Sequence, residues 1–311
     1  MHPPLTRCLL ENDDLRLEVD QRTGASITDF SIMGPRSAWW PLMRRAPAII
    51  PGGEQSACYL LSPWSNRIDG GVFAFAGETR RVRVNWPDGT AIHGDVRDRA
   101  WTILDRSPVS ARLRIDSREQ DGSNWPWSYL TEVRYELAGS TFETELVITN
   151  VDDSPMPVGG GYHPFFNRTL WNMADDPVVK ARVTGRYPTQ RVMVTGPAVM
   201  DDLSRRLNQG CALREDLDDI FETPGGEISI QWPASGVRAT FESTSQFSKM
   251  VIFSPMHTDG SPYPFFCVEP VSMVNDGFNL ALTGKVPAHG VRILEPGQEL
   301  RLGWKLRIEK T

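Results

Sequence analysis

The sequence predicts an all-β protein built as a large antiparallel β-sandwich. Short runs of alternating apolar and polar residues recur along the 311 residues, and Gly- and Pro-containing turn signals close them. No segment with the 3.6-residue period of a helix is long enough to form a helical layer. Strands that follow one another without crossover helices pair in antiparallel sheets, and such sheets pack face to face.

The first alternating runs lie near the N-terminus. Residues 15–20 and 26–32 predict two strands that Thr23-Gly24-Ala25 separates. Residues 35–63 are rich in Pro, Gly and Arg and show no period, so we expect a loop or edge structure there. Further strands are predicted at residues 71–75, 80–84, 111–115, 129–137 and 142–148.

The C-terminal part of the chain has the clearest strand pattern. From Glu299 to Glu309, five apolar residues alternate with charged ones, as expected of a strand with one buried face. Residues 204–217 come nearest to a helical period and predict a short helix or a loop. Because neither a repeat nor a linker interrupts the pattern, we expect a single domain over residues 1–311.

Composition and charge narrow the range of functions. The net charge of −6 and the lack of a long basic run argue against a nucleic-acid partner. The N-terminus lacks a signal-peptide pattern, no apolar run is long enough for a bilayer, and the four cysteines are far apart. We therefore expect a cytoplasmic protein without a membrane partner. The five histidines show no metal-ligand spacing, so no metal site is expected.

Four segments carry a polar group of a catalytic type beside a strand-like run. In one of them, His163 lies between three glycines, which permit sharp bends, and Pro164, which restricts the backbone before it. The others hold Arg67, His93 and Glu269. We expect the strands ending at both histidines and at Glu269 to converge on one cleft.

These residue types suit proton transfer on a neutral polar molecule. An imidazole titrates near neutrality, and a carboxylate on a rigid strand can act as a base. Tryptophan rings could stack against a sugar ring, although a tryptophan more often packs in the core. The candidates named from the sequence are Trp64, Trp86, Trp125, Trp127 and Trp171.

In their order along the chain, the segments resemble the aldose 1-epimerase (galactose mutarotase) family. The most specific segment is Gly161-Tyr162-His163-Pro164-Phe165-Phe166-Asn167, and the resemblance spans most of the chain. The other matching segments are Asn66-Arg67-Ile68, His93-Gly94, Asp218-Asp219-Ile220-Phe221 and Glu269-Pro270. Two departures are Asp219, where family members often have histidine, and residues 271–279, which differ from common forms of the family.

The resemblance implies a galactose mutarotase-like supersandwich that interconverts the α and β anomers of a free aldose. Glu269 would remove the proton from the C1 hydroxyl, and His163 would protonate the ring oxygen. The ring would then open, rotate about C1–C2 and close on the other face. The residues implied to bind the sugar are Asn66, Arg67, His93 and Asp218. No cofactor is needed for this chemistry.

The expected substrate is a free hexose or pentose. A phosphate-specific site would need two or more fixed cations, and among the matching segments only Arg67 and Arg168 qualify. A monomer or a homodimer is expected.

Two other functions stay open. A glycoside hydrolase on a related sandwich could use Glu269 and Asp218 as its two carboxylates, although His163 would then have no part. A non-catalytic sugar-binding protein could keep the same cleft, although binding alone does not need both His163 and Glu269. Taken singly, each residue also fits a structural role, as an ion-pair partner (Arg67), a turn or cap residue (His93, Asp218) or a surface charge (Glu269).

Overall fold

The computed structural model describes residues 7–225, 227–243 and 246–310 and confirms the all-β class. The strands are β1 (Arg7–Glu11), β2 (Leu15–Asp20), β3 (Ser26–Gly34), β4 (Ala38–Pro41), β5 (Cys58–Leu61), β6 (Arg67–Asp69), β7 (Val72–Phe75), β8 (Glu78–Arg81), β9 (Thr90–Ile92), β10 (Thr102–Arg106), β11 (Ser110–Asp116), β12 (Tyr129–Ala138), β13 (Thr141–Asn150), β14 (Met156–Val158), β15 (Gly161–Asn167), β16 (Val178–Ala181), β17 (Gly185–Arg186), β18 (Thr189–Gln190), β19 (Met193–Val194), β20 (Cys211–Ala212), β21 (Leu217–Glu222), β22 (Glu227–Trp232), β23 (Val237–Ser243), β24 (Lys249–Ser254), β25 (Phe265–Val271), β26 (Arg292–Leu294) and β27 (Glu299–Lys310). The α-helices are α1 (Asp202–Gln209) and α2 (Gly277–Thr283). Neither helix is long and apolar enough to cross a membrane, and this holds for the described residues only.

Two large antiparallel sheets form the sandwich. The first sheet has ten strands in the order β1-β2-β3-β5-β15-β25-β24-β21-β17, with β4 paired to β3. The second has nine strands in the order β10-β11-β12-β13-β27-β23-β22-β16-β20. The ribbons β6-β9, β7-β8, β14-β26 and β18-β19 are separate two-stranded sheets.

Aromatic side chains fill the space between the two sheets. Phe30 of β3 meets Phe142 of β13 with ring centroids 5.1 Å apart, and Tyr162 of β15 meets Trp304 of β27 at 5.7 Å. Tilted and edge-to-face contacts of this kind are the favoured arrangements of aromatic rings. The core therefore packs directly against the inner face of β15.

The outer face of the first sheet carries a second, smaller hydrophobic cluster. Along β15, Tyr162 and Phe166 belong to the sandwich core, whereas Phe165 belongs to the outer cluster. Side chains alternate between the two faces of a strand, so His163 faces outward with Phe165. Val194 of β19 and Leu280 of α2 help to cover this outer cluster.

Several predicted elements are confirmed with shifted bounds. Residues 15–20 form β2, and the C-terminal run forms β27 with its five apolar side chains buried. The predicted helix at 204–217 is shorter and starts earlier. It begins after Asp201, whose carboxylate accepts from the backbone N–H of Ser204 at 2.8 Å, and it ends before Gly210, which has φ +99°.

The expectation of a loop or edge structure at residues 35–63 was wrong in part. This region contains β4 and β5, and β5 lies between β3 and β15 in the first sheet. All four residues of β5 are buried, because one face packs on the sandwich core and the other on the outer cluster. A strand buried on both faces shows no alternation of apolar and polar residues.

Candidate active site

His163 and Glu269 lie side by side on the outer face of the first sheet. His163 Nε2 is 3.2 Å from Glu269 Oε1, and the two side chains are 9% and 2% exposed. Both residues lie within strands, β15 and β25, so the expected position at strand ends was wrong. We call these two residues the acid/base pair.

Prolines interrupt the strand pairing at this point. β15 and β25 pair at Gly161 with Val271 and then again from Phe165 onward. Between these pairs lie Pro164 and Pro270, which lack the N–H that a ladder hydrogen bond requires. The two strands thus present the acid/base pair where the ladder is open.

Aromatic contacts hold the His163 ring. The ring stacks on Tyr59 and Phe165 with centroids 4.6 Å and 4.4 Å away, and it meets the His93 ring edge-on at 5.2 Å. The guanidinium of Arg44 lies 3.3 Å from the Phe165 ring centroid. Because three rings contact the imidazole, its plane is set before any ligand binds.

A small ribbon brings Arg67 and His93 together. β6 and β9 pair Arg67 with Ile92, and the backbone N–H of His93 donates to the carbonyl of Asn66 at 2.9 Å. Asn66 and His93 have φ of +58° and +63°, which are uncommon for residues other than glycine. Gly94 follows with φ +78°, and a Cβ there would lie 2.1 Å from the Ser62 carbonyl oxygen. Residue 94 therefore has to be glycine.

The loop after β25 fixes this ribbon to the strand that holds Glu269. The Asn66 side-chain amide donates to the Met273 carbonyl at 2.6 Å. The Arg67 N–H donates to Asn275 Oδ1 at 3.1 Å, and the Asp276 N–H donates to the Arg67 carbonyl at 2.7 Å. Arg67 is thus held on both sides of its backbone.

The Arg67 side chain lies between two carboxylates. Its Nε is 3.0 Å from Asp88 Oδ2, and its Nη1 is 3.9 Å from Asp218 Oδ2. Asp218 keeps 41% of its side chain exposed to the cleft. The adjacent Asp219 pairs instead with Arg186 at 3.3 Å. Of the two neighbouring aspartates, Asp218 is therefore the one that pairs with Arg67.

Burial shifts the titration of the acid/base pair in opposite directions. Burial raises the pKa of Glu269 well above its usual value, Asp218 raises it further and Arg67 partly offsets this. Burial lowers the pKa of His163 well below its usual value, and the charge of Arg44 adds to this. The pKa of His93 is lowered in the same way, by burial and then by His163. These shifts favour an uncharged carboxyl and uncharged imidazoles.

The six residues named from the sequence line one cleft of about 400 Å³. They are Asn66, Arg67, His93, His163, Asp218 and Glu269. The side-chain nitrogen of Asn66 is already used on Met273, so this residue also supports the loop. Arg168 lies elsewhere, donating to the carbonyls of Tyr263 and Leu213 and to the Ser254 hydroxyl.

Only one of the five named tryptophans lines the cleft. Trp86 is 37% exposed there, whereas Trp64, Trp125 and Trp127 are buried in the sandwich core. Trp171 packs on Trp40. These four therefore have the packing role that tryptophan takes more often, and they do not offer a stacking face to the cleft.

Several cleft residues were missed from the sequence. They include Arg44, Glu54, Tyr59, Phe165, Phe253, Phe265 and Asn275. Asn275 lies in the segment 271–279, which departs from common forms of the family. This departure could have indicated that the segment contributes to the cleft. Arg44 and Tyr59 come from the aperiodic region 35–63, where no local pattern marks them.

The two packed antiparallel sheets have the galactose mutarotase-like fold. Residues 10–307 match the sequence family described as aldose 1-epimerase, and the chain belongs to this family.

The individual relatives have low sequence identity to the chain. A galactose mutarotase-like protein from Clostridium acetobutylicum superposes with a TM-score of 0.84 at 19% identity, covering 97% of this chain and 95% of that one. An aldose epimerase homologue from C. elegans gives a TM-score of 0.82 at 14% identity, covering 98% and 99%. The uncharacterized protein YphB of Escherichia coli K12 is 25% identical over 275 residues, covering 85% of this chain and 89% of its own. The two solved structures establish the shared fold.

Proposed function

We propose that the protein is an aldose 1-epimerase that interconverts the α and β anomers of a free aldose. The observation that carries this proposal is the 3.2 Å separation of His163 Nε2 and Glu269 Oε1 at the floor of the cleft. The C1 hydroxyl and the ring oxygen of a sugar are bonded to the same carbon. Two proton-transfer groups held side by side can therefore serve both oxygens at once.

In the proposed reaction, Glu269 takes the C1 hydroxyl proton while His163 gives a proton to the ring oxygen. The bond between C1 and the ring oxygen breaks, and the open-chain aldehyde forms. Rotation about C1–C2 presents the other face, and the same two groups run in reverse. Passing the carboxyl proton of the uncharged pair from Glu269 to His163 creates the carboxylate and imidazolium that this step uses.

The remaining cleft residues suit the orientation of hydroxyl groups. Arg67 lies between two carboxylates, Asp88 and Asp218, so its N–H groups and the Asp218 oxygens can serve neighbouring hydroxyls. His93 lies against His163 and is placed to stabilise charge that develops on the sugar oxygens. Trp86 offers an exposed ring at the wall of the cleft.

Charge in the cleft favours a neutral hexose or pentose over a sugar phosphate. Arg44 and Arg67 line the cleft together with four carboxyl groups. These are Glu54, Asp218, Asp219 and Glu269. The Arg44 guanidinium already donates to the carbonyls of Ser56 and Glu54. Even with Glu269 uncharged, a phosphate dianion would face the other three carboxyl groups and little free positive charge.

Polarimetry tests this function. Freshly dissolved α-anomers of glucose, galactose, xylose and arabinose, and glucose 6-phosphate, are each followed with and without the protein. We expect faster equilibration of at least one neutral sugar and no release of a chromogenic group from aryl glycosides. Release of that group would favour the hydrolase. Sugar binding without faster equilibration would favour the non-catalytic alternative.

A further inference from the structure

We infer that His163, Cys267 and Glu269 form a binding site for a thiophilic divalent cation such as Zn²⁺, which blocks the cleft. An imidazole nitrogen, a thiol sulfur and a carboxylate oxygen from these residues all lie within 4.8 Å of one another. All three residues are buried. The inhibitory consequence rests on the proposed function, whereas the metal site itself does not.

The strand geometry brings the three donors to one point. Cys267 and Glu269 are two residues apart on β25, so their side chains lie on the same face. His163 faces them from the adjacent strand β15. Cys267 takes no part in the proposed proton transfers, and its thiol is not in a disulfide.

Two donor groups of this cluster have polar atoms that lack a partner. Among the described residues, Glu269 Oε2 and His163 Nδ1 are buried and make no hydrogen bond. Glu269 is only 2% exposed, and an unpaired oxygen on a buried carboxyl group is costly. A cation bound by both oxygens of the Glu269 carboxylate would supply the missing partner for Oε2.

The distances suit a tetrahedral ion. Two ligand atoms at 2.0–2.1 Å from zinc lie about 3.3 Å apart in a tetrahedral site. The measured separation of His163 Nε2 and Glu269 Oε1 is 3.2 Å. A zinc-bound sulfur at about 2.3 Å lies roughly 3.6 Å from the other ligand atoms of a tetrahedral site, so ligand atoms separated by up to 4.8 Å move closer when the ion binds.

The donor set also selects the metal. A thiolate with an imidazole and a carboxylate favours Zn²⁺ or Co²⁺ over Mg²⁺ and Ca²⁺, which prefer oxygen ligands. Binding releases the thiol proton of Cys267 and the carboxyl proton of Glu269. Three protein ligands leave the fourth position to a water molecule, which occupies the space that the sugar would take. The acid/base pair is then unable to transfer protons.

Cobalt absorption tests the site without reference to activity. The full chain is titrated with Co²⁺ alone, and we expect visible bands of tetrahedral cobalt with a near-ultraviolet thiolate-to-cobalt band. Cys267→Ser and Cys267→Ala should both lose the thiolate band, and Cys211→Ser, a control at a partly exposed thiol far along the chain, should keep it. Two variants are used because serine at a buried position can unfold the protein. Persistence of the thiolate band in both Cys267 variants, or its absence in the wild type, would overturn the site.

Inhibition is the second readout. Zn²⁺ should inhibit anomer interconversion in competition with the sugar, EDTA should restore it, and Mg²⁺ should have no effect. Cys267→Ala should raise the inhibitory zinc concentration at least tenfold with an unchanged rate in EDTA. Equal zinc sensitivity of this variant would overturn the proposal. If the wild type accelerates no sugar, the proposed function fails, and the cobalt spectrum still decides the metal site.

Discussion

At the scale of single residues, Arg67 is the side chain on which sugar positioning depends in our account. Its guanidinium has two carboxylate neighbours and is 13% exposed. Arg67→Ala should raise KM and lower kcat, with a loss of about 10- to 100-fold in kcat/KM, because charged hydrogen bonds contribute roughly 1.5–3 kcal/mol. Steady-state polarimetry measures both constants.

Arg45→Ala is the control for this change. Arg45 pairs with Asp29, and its side chain is 53% exposed. Its removal should leave KM and kcat unchanged. Equal kinetics for the two variants would reduce Arg67 to a structural ion-pair residue.

Gly94 supports His93 through its backbone conformation. Gly94→Ala should destabilise the protein by several kcal/mol, because φ is +78° and the added Cβ would lie 2.1 Å from a backbone oxygen. Gly89→Ala is the matched control, since Gly89 has φ +87° but no atom within 4 Å of the added Cβ. We expect the control to cost only about 1–2 kcal/mol. Urea unfolding measures both, and similar losses would show that the contact with Ser62 is unimportant.

Glu269 could be named from the sequence as a polar group inside an apolar run, between Val268 and Pro270. Arg67, His93 and Asp218 were named only through the ordered set of segments that resembles the aldose 1-epimerase family, since each alone also fits a structural role. Arg44 could not be named, since its place over the Phe165 ring depends on packing between segments more than a hundred residues apart. Local sequence patterns do not indicate contacts between segments so far apart in the chain.

At the scale of elements, β24 contains a buried lysine. Lys249 is 2% exposed and donates only to Ser248, through its carbonyl and hydroxyl oxygens, among the described residues. Burial lowers the pKa of its amine to about 8. The pKa of the Lys249 amine is higher in the unfolded chain than in the folded protein. Its charged form therefore lowers the free energy of unfolding. This penalty is full below pH 8 and disappears as the pH rises toward the unfolded value of about 10.4.

Lys249→Met should therefore stabilise the protein at pH 7, by as much as about 3 kcal/mol. The free energy of unfolding of the wild type should rise between pH 8 and pH 10. That of the variant should not show this rise. Thermal unfolding across that range measures the effect. Lys180→Met, at an exposed position of β16, is the control and should change little. A variant that is less stable at pH 7 would contradict this account.

Elements with one buried face were predictable, and elements buried on both faces were not. β27 was recognised because its apolar residues alternate with polar ones from Glu299 to Glu309, whereas the four buried residues of β5 were assigned to an aperiodic region. α2 has only seven residues, about two turns, which is too short to show a helical period. Its place is set by packing on the outer cluster, where Leu280 contributes.

At the scale of the whole molecule, the large core and the cleft lie on opposite faces of the first sheet. Tyr162 and Phe166 face the core, and His163 between them faces the cleft. Changes to the acid/base pair should therefore reduce activity without unfolding the sandwich. The antiparallel fold class was predictable because alternation and turns recur along the chain. The cleft was less predictable, because its walls come from loops and two-stranded ribbons whose residues show little regular alternation of apolar and polar types.

The most direct test of the central claim is magnetization-exchange NMR on the Glu269→Gln variant with the best neutral sugar. Glutamine keeps the shape of the side chain and removes the proton acceptor. We expect kcat to fall by about 10²–10⁴-fold with little change in KM. Glu54→Gln, at another carboxyl group of the cleft, should stay within a few-fold of the wild type. A Glu269→Gln variant that exchanges the anomers as fast as the wild type would contradict the account.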